Sequence, residues 1–160
     1  MGTEKKKRMA IVASKGTLDM AYPPLILAST AAAMDAEVAI FFTLYGVDMV
    51  NKHKNGRLQV SPIANPAMPS PIPFPNIIGV LPGMTPMATS MMKGMIKKIN
   101  WPSIPELLQT CIEADVKMIA CAPTLEMTDL KKEDLVEGVT VGGAAEFLDF
   151  AFDADITLFI

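Results

Sequence analysis

The sequence predicts an α/β domain built on a five-stranded parallel sheet with helices on both faces. Three features point there. Short apolar segments recur at residues 9–13, 37–43, 117–121, 139–141 and 155–160. Helical patterns separate them, so successive strands form right-handed βαβ units. The segments are apolar almost throughout rather than alternating, as strands covered on both sides are. A chain of 160 residues that is 51% hydrophobic is expected to form one domain, residues 1–160, with apolar surface left for a partner.

The first strand, at 9–13, contains no polar residue, and Ser14-Lys15-Gly16-Thr17 reads as the loop after it. A helix is expected from about Leu18 to Met34. Pro23 and Pro24 leave two alternatives, a start near Pro23 or a kink within an earlier start. The alanines Ala28, Ala31, Ala32 and Ala33 give this helix a thin face for packing on a sheet. After the second strand, a loop from Leu44 leads into a short helix that ends at the polar run 51–56.

The middle departs from a minimal doubly wound domain. Pro62, Pro66, Pro69, Pro71, Pro73, Pro75, Pro82 and Pro86 exclude a continuous helix or a central strand, so residues 51–100 read as a Pro/Met-rich insertion within the domain. A helix is expected from Thr85 as N-cap, with Pro86 at its first position. Met84, Met87, Met91 and Met95 line one face of it, which is expected to cover the core or a neighbouring subunit. Ser103 and Glu106 have capping-box spacing, and the next helix presents Leu107, Leu108 and Cys111 on one side. Short helical turns at 129–136, a strand at 139–141, Gly142-Gly143 and a helix at 144–152 lead to the last strand.

The net charge of −3 gives no electrostatic case for nucleic-acid binding. The basic run Lys5-Lys6-Lys7-Arg8 reads as a solvated terminus. No apolar run is long enough to span a membrane and no export signal is evident, so a cytoplasmic location is expected, without membrane contact. Two cysteines and one histidine make neither a disulfide scaffold nor a closed zinc site, and no metal is expected. Glycine-rich phosphate fingerprints are absent after the first strand, so no nucleotide cofactor is expected. His53 lies in a polar loop, away from any evident nucleophile.

Cys121 is the residue that suggests chemistry. It closes the strand at 117–121, because Pro123 removes a ladder donor and biases Ala122 toward extended backbone. Thr124 is expected to cap a helical turn starting at Leu125. A thiol at the carboxyl end of a strand, just before a helix, lies where open α/β sheets hold ligands, and the helix terminus would lower its pKa. Parallel strands gather their carboxyl ends at one edge, so the loops at Ser14, Tyr45, Cys121 and Gly142 should meet. Lys15 is the expected cationic neighbour, Gly16 permits tight backbone, and Gly142 and Gly143 could offer N–H groups to an anion. Glu126 and Asp129 read as helix-capping and solubilising residues. Cys111 reads as a packing residue.

The stretch Met118-Ile119-Ala120-Cys121-Ala122-Pro123-Thr124-Leu125-Glu126-Met127 resembles the cysteine segment of the DsrE/DsrF-like sulfurtransferases. Ser14-Lys15-Gly16-Thr17-Leu18-Asp19 with Tyr22-Pro23-Pro24-Leu25 resembles their first loop and helix, in the subgroup with a long central insertion. Ala39-Ile40-Phe41-Phe42-Thr43-Leu44-Tyr45-Gly46 resembles the second strand and loop, and Asp155-Ile156-Thr157-Leu158-Phe159-Ile160 the last strand. The resemblance implies a flavodoxin-like three-layer α/β/α fold and homo-oligomers. It also implies a sulfurtransferase or sulfur carrier that holds sulfur as a persulfide on Cys121, with small sulfur-carrier and rhodanese-like proteins as partners. Two other functions fit the residues: a thiol-redox protein pairing Cys121 with Cys111, and a non-catalytic adaptor docking through the Met-rich helix and proline-rich segment onto a protein complex or a membrane surface.

Overall fold

A computed structural model of the chain describes residues 6–61, 79 and 81–160. Five parallel strands, β1 (Arg8–Ala13), β2 (Glu37–Phe42), β3 (Lys117–Cys121), β4 (Val139–Gly142) and β5 (Ile156–Phe159), form one sheet in the order β4-β3-β2-β1-β5. The helices are α1 (Leu18–Ala33), α2 (Met84–Lys98), α3 (Ile104–Glu113), α4 (Ala122–Met127) and α5 (Ala144–Ala151), so the expected flavodoxin-like α/β architecture is the observed one.

The strand order follows from crossover chirality. From β1 to β4 each strand is added beside the last in one direction, and right-handed crossovers then put α1, α3 and α4 on a single face. The step from β4 to β5 runs back across β1, which sends α5 to the opposite face. Two cores result. The larger holds Ile11, Ile40, Phe42 and Met118 of the sheet with Leu25 and Ala28 of α1 and Leu107, Leu108 and Cys111 of α3. The smaller holds Ala10, Ala39, Phe41, Ile119 and Phe147, with the Phe41 and Phe147 rings stacked 5.3 Å apart.

Helix α1 begins at Leu18 and passes through Pro23 and Pro24, so of the two expected starts the earlier one holds. The Asp19 carboxylate, in the first turn, has one buried oxygen without a hydrogen-bond partner, where the free peptide N–H ends of the helix favour a negative charge. Helix α2 starts one residue before the expected cap. Gly83 is the N-cap with φ +91, and Pro86 still falls in the first turn, where its missing N–H costs nothing. Of the eight prolines expected to break the middle, only Pro82 and Pro86 are among the described residues. Thr89 hydroxyl accepts the Val60 N–H at 3.0 Å and donates to the Thr85 carbonyl at 2.8 Å, tying the residues before that stretch to α2. The Ser103–Glu106 box forms as expected, with the Ser103 N–H 2.7 Å from the Glu106 carboxylate, and it holds that carboxyl below its usual range.

The basic run is more engaged than a solvated terminus. Lys6 pairs with Asp35 at 2.6 Å and Lys7 with Asp155 at 3.1 Å. Arg8 pairs with Glu37 at 2.6 Å and lies over the Phe150 ring. These pairs close the amino edge of the sheet, opposite the edge that carries Cys121; being exposed, each adds little stability.

Candidate functional site

Cys121 is the last residue of β3 and lies in register with Gly142, the last residue of β4. On its other side, Phe42 of β2 pairs with Ala120, which brings Thr43 beside Cys121. From this point the chain parts. Helix α4 turns toward the larger core, where Thr124 and Leu125 are buried, while α5 turns toward the smaller one through Phe147. Adjacent strands whose connections leave to opposite faces form the switch point at which open α/β sheets hold ligands, and Cys121 and Gly142 end the two strands there.

Helix α4 begins at Ala122, immediately after the strand, rather than at Leu125. Pro123 fits its second position, where no donor is needed. Cys121 is therefore itself the N-cap, and Thr124 is not a cap but a buried residue of the first turn, with 3% exposure.

The Cys121 thiol is half-buried and packs beside the smaller core. Burial pushes its pKa up. The neighbouring Thr124 hydroxyl, Thr124 N–H and Thr43 hydroxyl favour the thiolate more strongly than burial opposes it, and hold the thiol below its ordinary value. The Thr124 hydroxyl is oriented by its own partner: its oxygen accepts the Leu44 N–H at 3.1 Å, which leaves its proton for the sulfur. Leu44 reaches that position with φ +49, left-handed backbone that a leucine adopts only under constraint. The groups that stabilise the thiolate are thus neutral donors rather than a cation.

Of the residues expected at the site, Lys15 is exposed on the loop after β1, and Tyr45 is 77% exposed. Gly16 lies so close to the Tyr45 carbonyl that a Cβ would collide with it, so the loops after β1 and β2 are pressed together. A Cβ on Gly142 would strike the Glu146 carboxylate and the Ile119 side chain, which lies 2.9 Å from that point. Gly143 is the N-cap of α5 and Ala122 the first residue of α4. Thr43 and Gly46 were not anticipated. Gly46 approaches the Ala13 carbonyl as closely as Gly16 approaches Tyr45. Thr43 was legible only from the register between β2 and β3, which sequence does not disclose.

Cys111 differs from Cys121 in every respect. It is fully buried in the larger core, its Sγ lies 3.7 Å from the Leu25 carbonyl, and burial pushes its thiol up to about 11. His53 is exposed and lies 3.5 Å from Asp134. It lines a cleft of about 440 Å³ with Gly16, Thr17 and Arg57; Cys121 is not in its wall. A second cleft, of about 810 Å³, runs between α1, α2 and α3 past Tyr22 and Trp101, whose rings stack 5.2 Å apart. Among the described residues no group of three or more His, Cys, Asp or Glu side chains gathers as a metal site.

The chain is 48% identical, over 98% of its length and 99% of the relative's, to the sulfur carrier protein DsrE2 of Allochromatium vinosum. It is 32% identical to YrkE of Bacillus subtilis over 99% of both chains. Among solved structures, the ychN protein of E. coli shares the fold, with a TM-score of 0.52, 12% identity, and coverage of 96% of this chain and 99% of that one. Residues 5–159 match the family model itself, and the thiol-bearing strand end lies inside the match. On that match and these two relatives, the chain belongs to the DsrE/DsrF/DrsH-like family.

Proposed function

We propose that this protein is a sulfur carrier that holds sulfane sulfur as a persulfide on Cys121 and passes it to a thiol of a partner protein. The observation that carries the proposal is a half-buried thiol at the sheet edge whose pKa is lowered by the neighbouring Thr124 and Thr43. The near-full-length likeness to a protein named sulfur carrier protein DsrE2 supports it. The Cys121 thiolate attacks the terminal sulfur of a donor persulfide. A new S–S bond forms at Sγ, the donor's S–S bond breaks, and its electron pair leaves on the donor thiolate. An acceptor thiolate then attacks the outer sulfur, and Cys121 departs as thiolate. No net oxidation occurs, so the exchange as written needs no added oxidant or reductant. Donors of the rhodanese-like kind and small sulfur-carrier acceptors, in a reducing cytoplasm, fit this exchange.

Incubation with polysulfide followed by intact-mass measurement tests it. Wild type and Cys111→Ser should each gain the mass of a sulfur atom, released by reductant, and Cys121→Ser should gain none. Equal gain by Cys121→Ser would overturn the assignment.

A further inference from the structure

Helix α2 does not use its methionine stripe to cover the core. Its inward residues are Ala88 and Thr89, buried, with Met92 and Ile96 packed against the larger core. Met87, Met91, Met95 and Ile99, four residues apart, are 53%, 38%, 47% and 66% exposed. Leu81 at one end is 55% exposed and Trp101 at the other 45%. Lys98 falls within this stripe, while Lys93 and Lys97 lie on the other flank of the helix, along the cleft it forms with α1 and α3. Lys93 reaches only a backbone carbonyl, that of Gly56, at 3.4 Å, and among the described residues Lys97 and Lys98 have no ion pair.

The charge distribution along the chain points the same way. Between Asp48 and Glu106 there is no carboxylate, yet Lys52, Lys54, Arg57, Lys93, Lys97 and Lys98 all fall there. The rest of the chain carries eight Lys or Arg against seventeen Asp or Glu. In space the imbalance is local to α2, which carries Lys93, Lys97 and Lys98 and no carboxylate; Lys54 is paired with Asp48, and Glu106 lines the cleft beside Lys93 and Lys97.

We propose that α2 with Leu81 and Trp101 is a docking surface for an anionic lipid bilayer. Flexible thioethers enter the boundary between headgroups and acyl chains, the indole sits at headgroup level, and the lysines extend to lipid phosphates. Among the described residues no helix is long and apolar enough to cross a membrane, so α2 lies on the surface. A helix whose only charged residues are lysines, with an exposed apolar stripe beside them, matches an anionic bilayer, where each lysine near the surface contributes about 1 kcal/mol. Because α2 packs against the larger core and Cys121 borders the smaller one, a docked molecule keeps its thiol open to a soluble partner.

The test uses the purified full chain and two vesicle types, phosphatidylcholine alone and an equimolar mixture with phosphatidylglycerol. Binding is read by co-sedimentation and by emission of the sole tryptophan, Trp101. The mixed vesicles should pellet the protein and shift Trp101 to the blue, with salt weakening both; phosphatidylcholine alone should do neither. Lys97→Gln with Lys98→Gln should lower partitioning about thirty-fold. Met91→Ser with Met95→Ser should abolish the Trp101 shift. All four positions are exposed, so circular dichroism and sulfur loading at Cys121 should not change. Absence of binding to mixed vesicles, equal binding to both types, or binding that neither variant weakens would overturn the proposal. Retention on polyglutamate without vesicle binding would also overturn it and give the surface to an acidic protein.

Discussion

At the residue scale, two threonines hold the Cys121 thiol below its ordinary pKa. A hydrogen bond to a charged acceptor contributes about 1.5–3 kcal/mol, so a donor held against the sulfur favours the thiolate. Thr124→Val keeps the shape and removes the donor, so the Cys121 pKa should rise toward the ordinary thiol value. The rate of iodoacetamide alkylation near neutral pH should fall, with its pH profile displaced upward, and Thr124→Ser should restore both. Unchanged alkylation would mean that the hydroxyl does not reach the sulfur. Cys111 has the opposite shift, from the ordinary 9.0 to about 11. Its folded form binds a proton that the unfolded chain has already lost. Its neutral burial is therefore fully realised below pH 9 and is lost as pH rises through 11. Wild type should lose stability across that window relative to Cys111→Ala, by up to about 2–3 kcal/mol, read from denaturant midpoints.

At the scale of elements, the site depends on two loops pressed together by glycines. A Cβ at Gly46 would land on the Ala13 carbonyl, which belongs to rigid strand backbone and cannot yield. Gly46→Ala should cost about 1–3 kcal/mol, several degrees in Tm, and slow Cys121 alkylation by displacing Thr43. Native stability and native alkylation together would remove Gly46 from the site. The elements themselves were legible because apolar runs, the Ser103–Glu106 box and the Gly142–Gly143 turn are local signals. What was misread turned on tertiary context. Thr124 has the chemistry of a cap, but Pro123 tolerates the second helical position, so α4 starts at Ala122 and turns the hydroxyl toward sulfur. Lys15 was the obvious cation, yet the thiolate is served by neutral donors, one of which, Thr43, arrives only through strand register. The methionine period was read correctly as one face of a helix. Ala88 and Thr89 are nevertheless the buried positions of this helix, with Met92 and Ile96 against the larger core, which turns Met87, Met91 and Met95 outward.

At the scale of the molecule, the reversal of strand order between β4 and β5 makes two faces of unequal coverage. Helices α1, α3 and α4 cover one, while the eight residues of α5 cover the other, leaving Leu148, Phe152 and Phe159 at 43%, 81% and 76% exposure. The same division keeps the two sulfurs apart. Cys111 belongs to the layer between α1 and α3, and Cys121 borders the core under α5. A disulfide requires Cα atoms within about 7 Å, and a sheet with its packed side chains stands between these two residues. Mild oxidation with diamide should therefore produce no intramolecular bridge. Wild type held dilute should keep two titratable thiols after denaturation, and Cys121 alone should react with iodoacetamide in the native state. At high concentration any disulfide should join two chains through Cys121 and vanish in Cys121→Ser. A monomeric, oxidised form missing both thiols would show that the layers exchange places on the timescale of oxidation, and would return Cys111 to the chemistry as a resolving thiol.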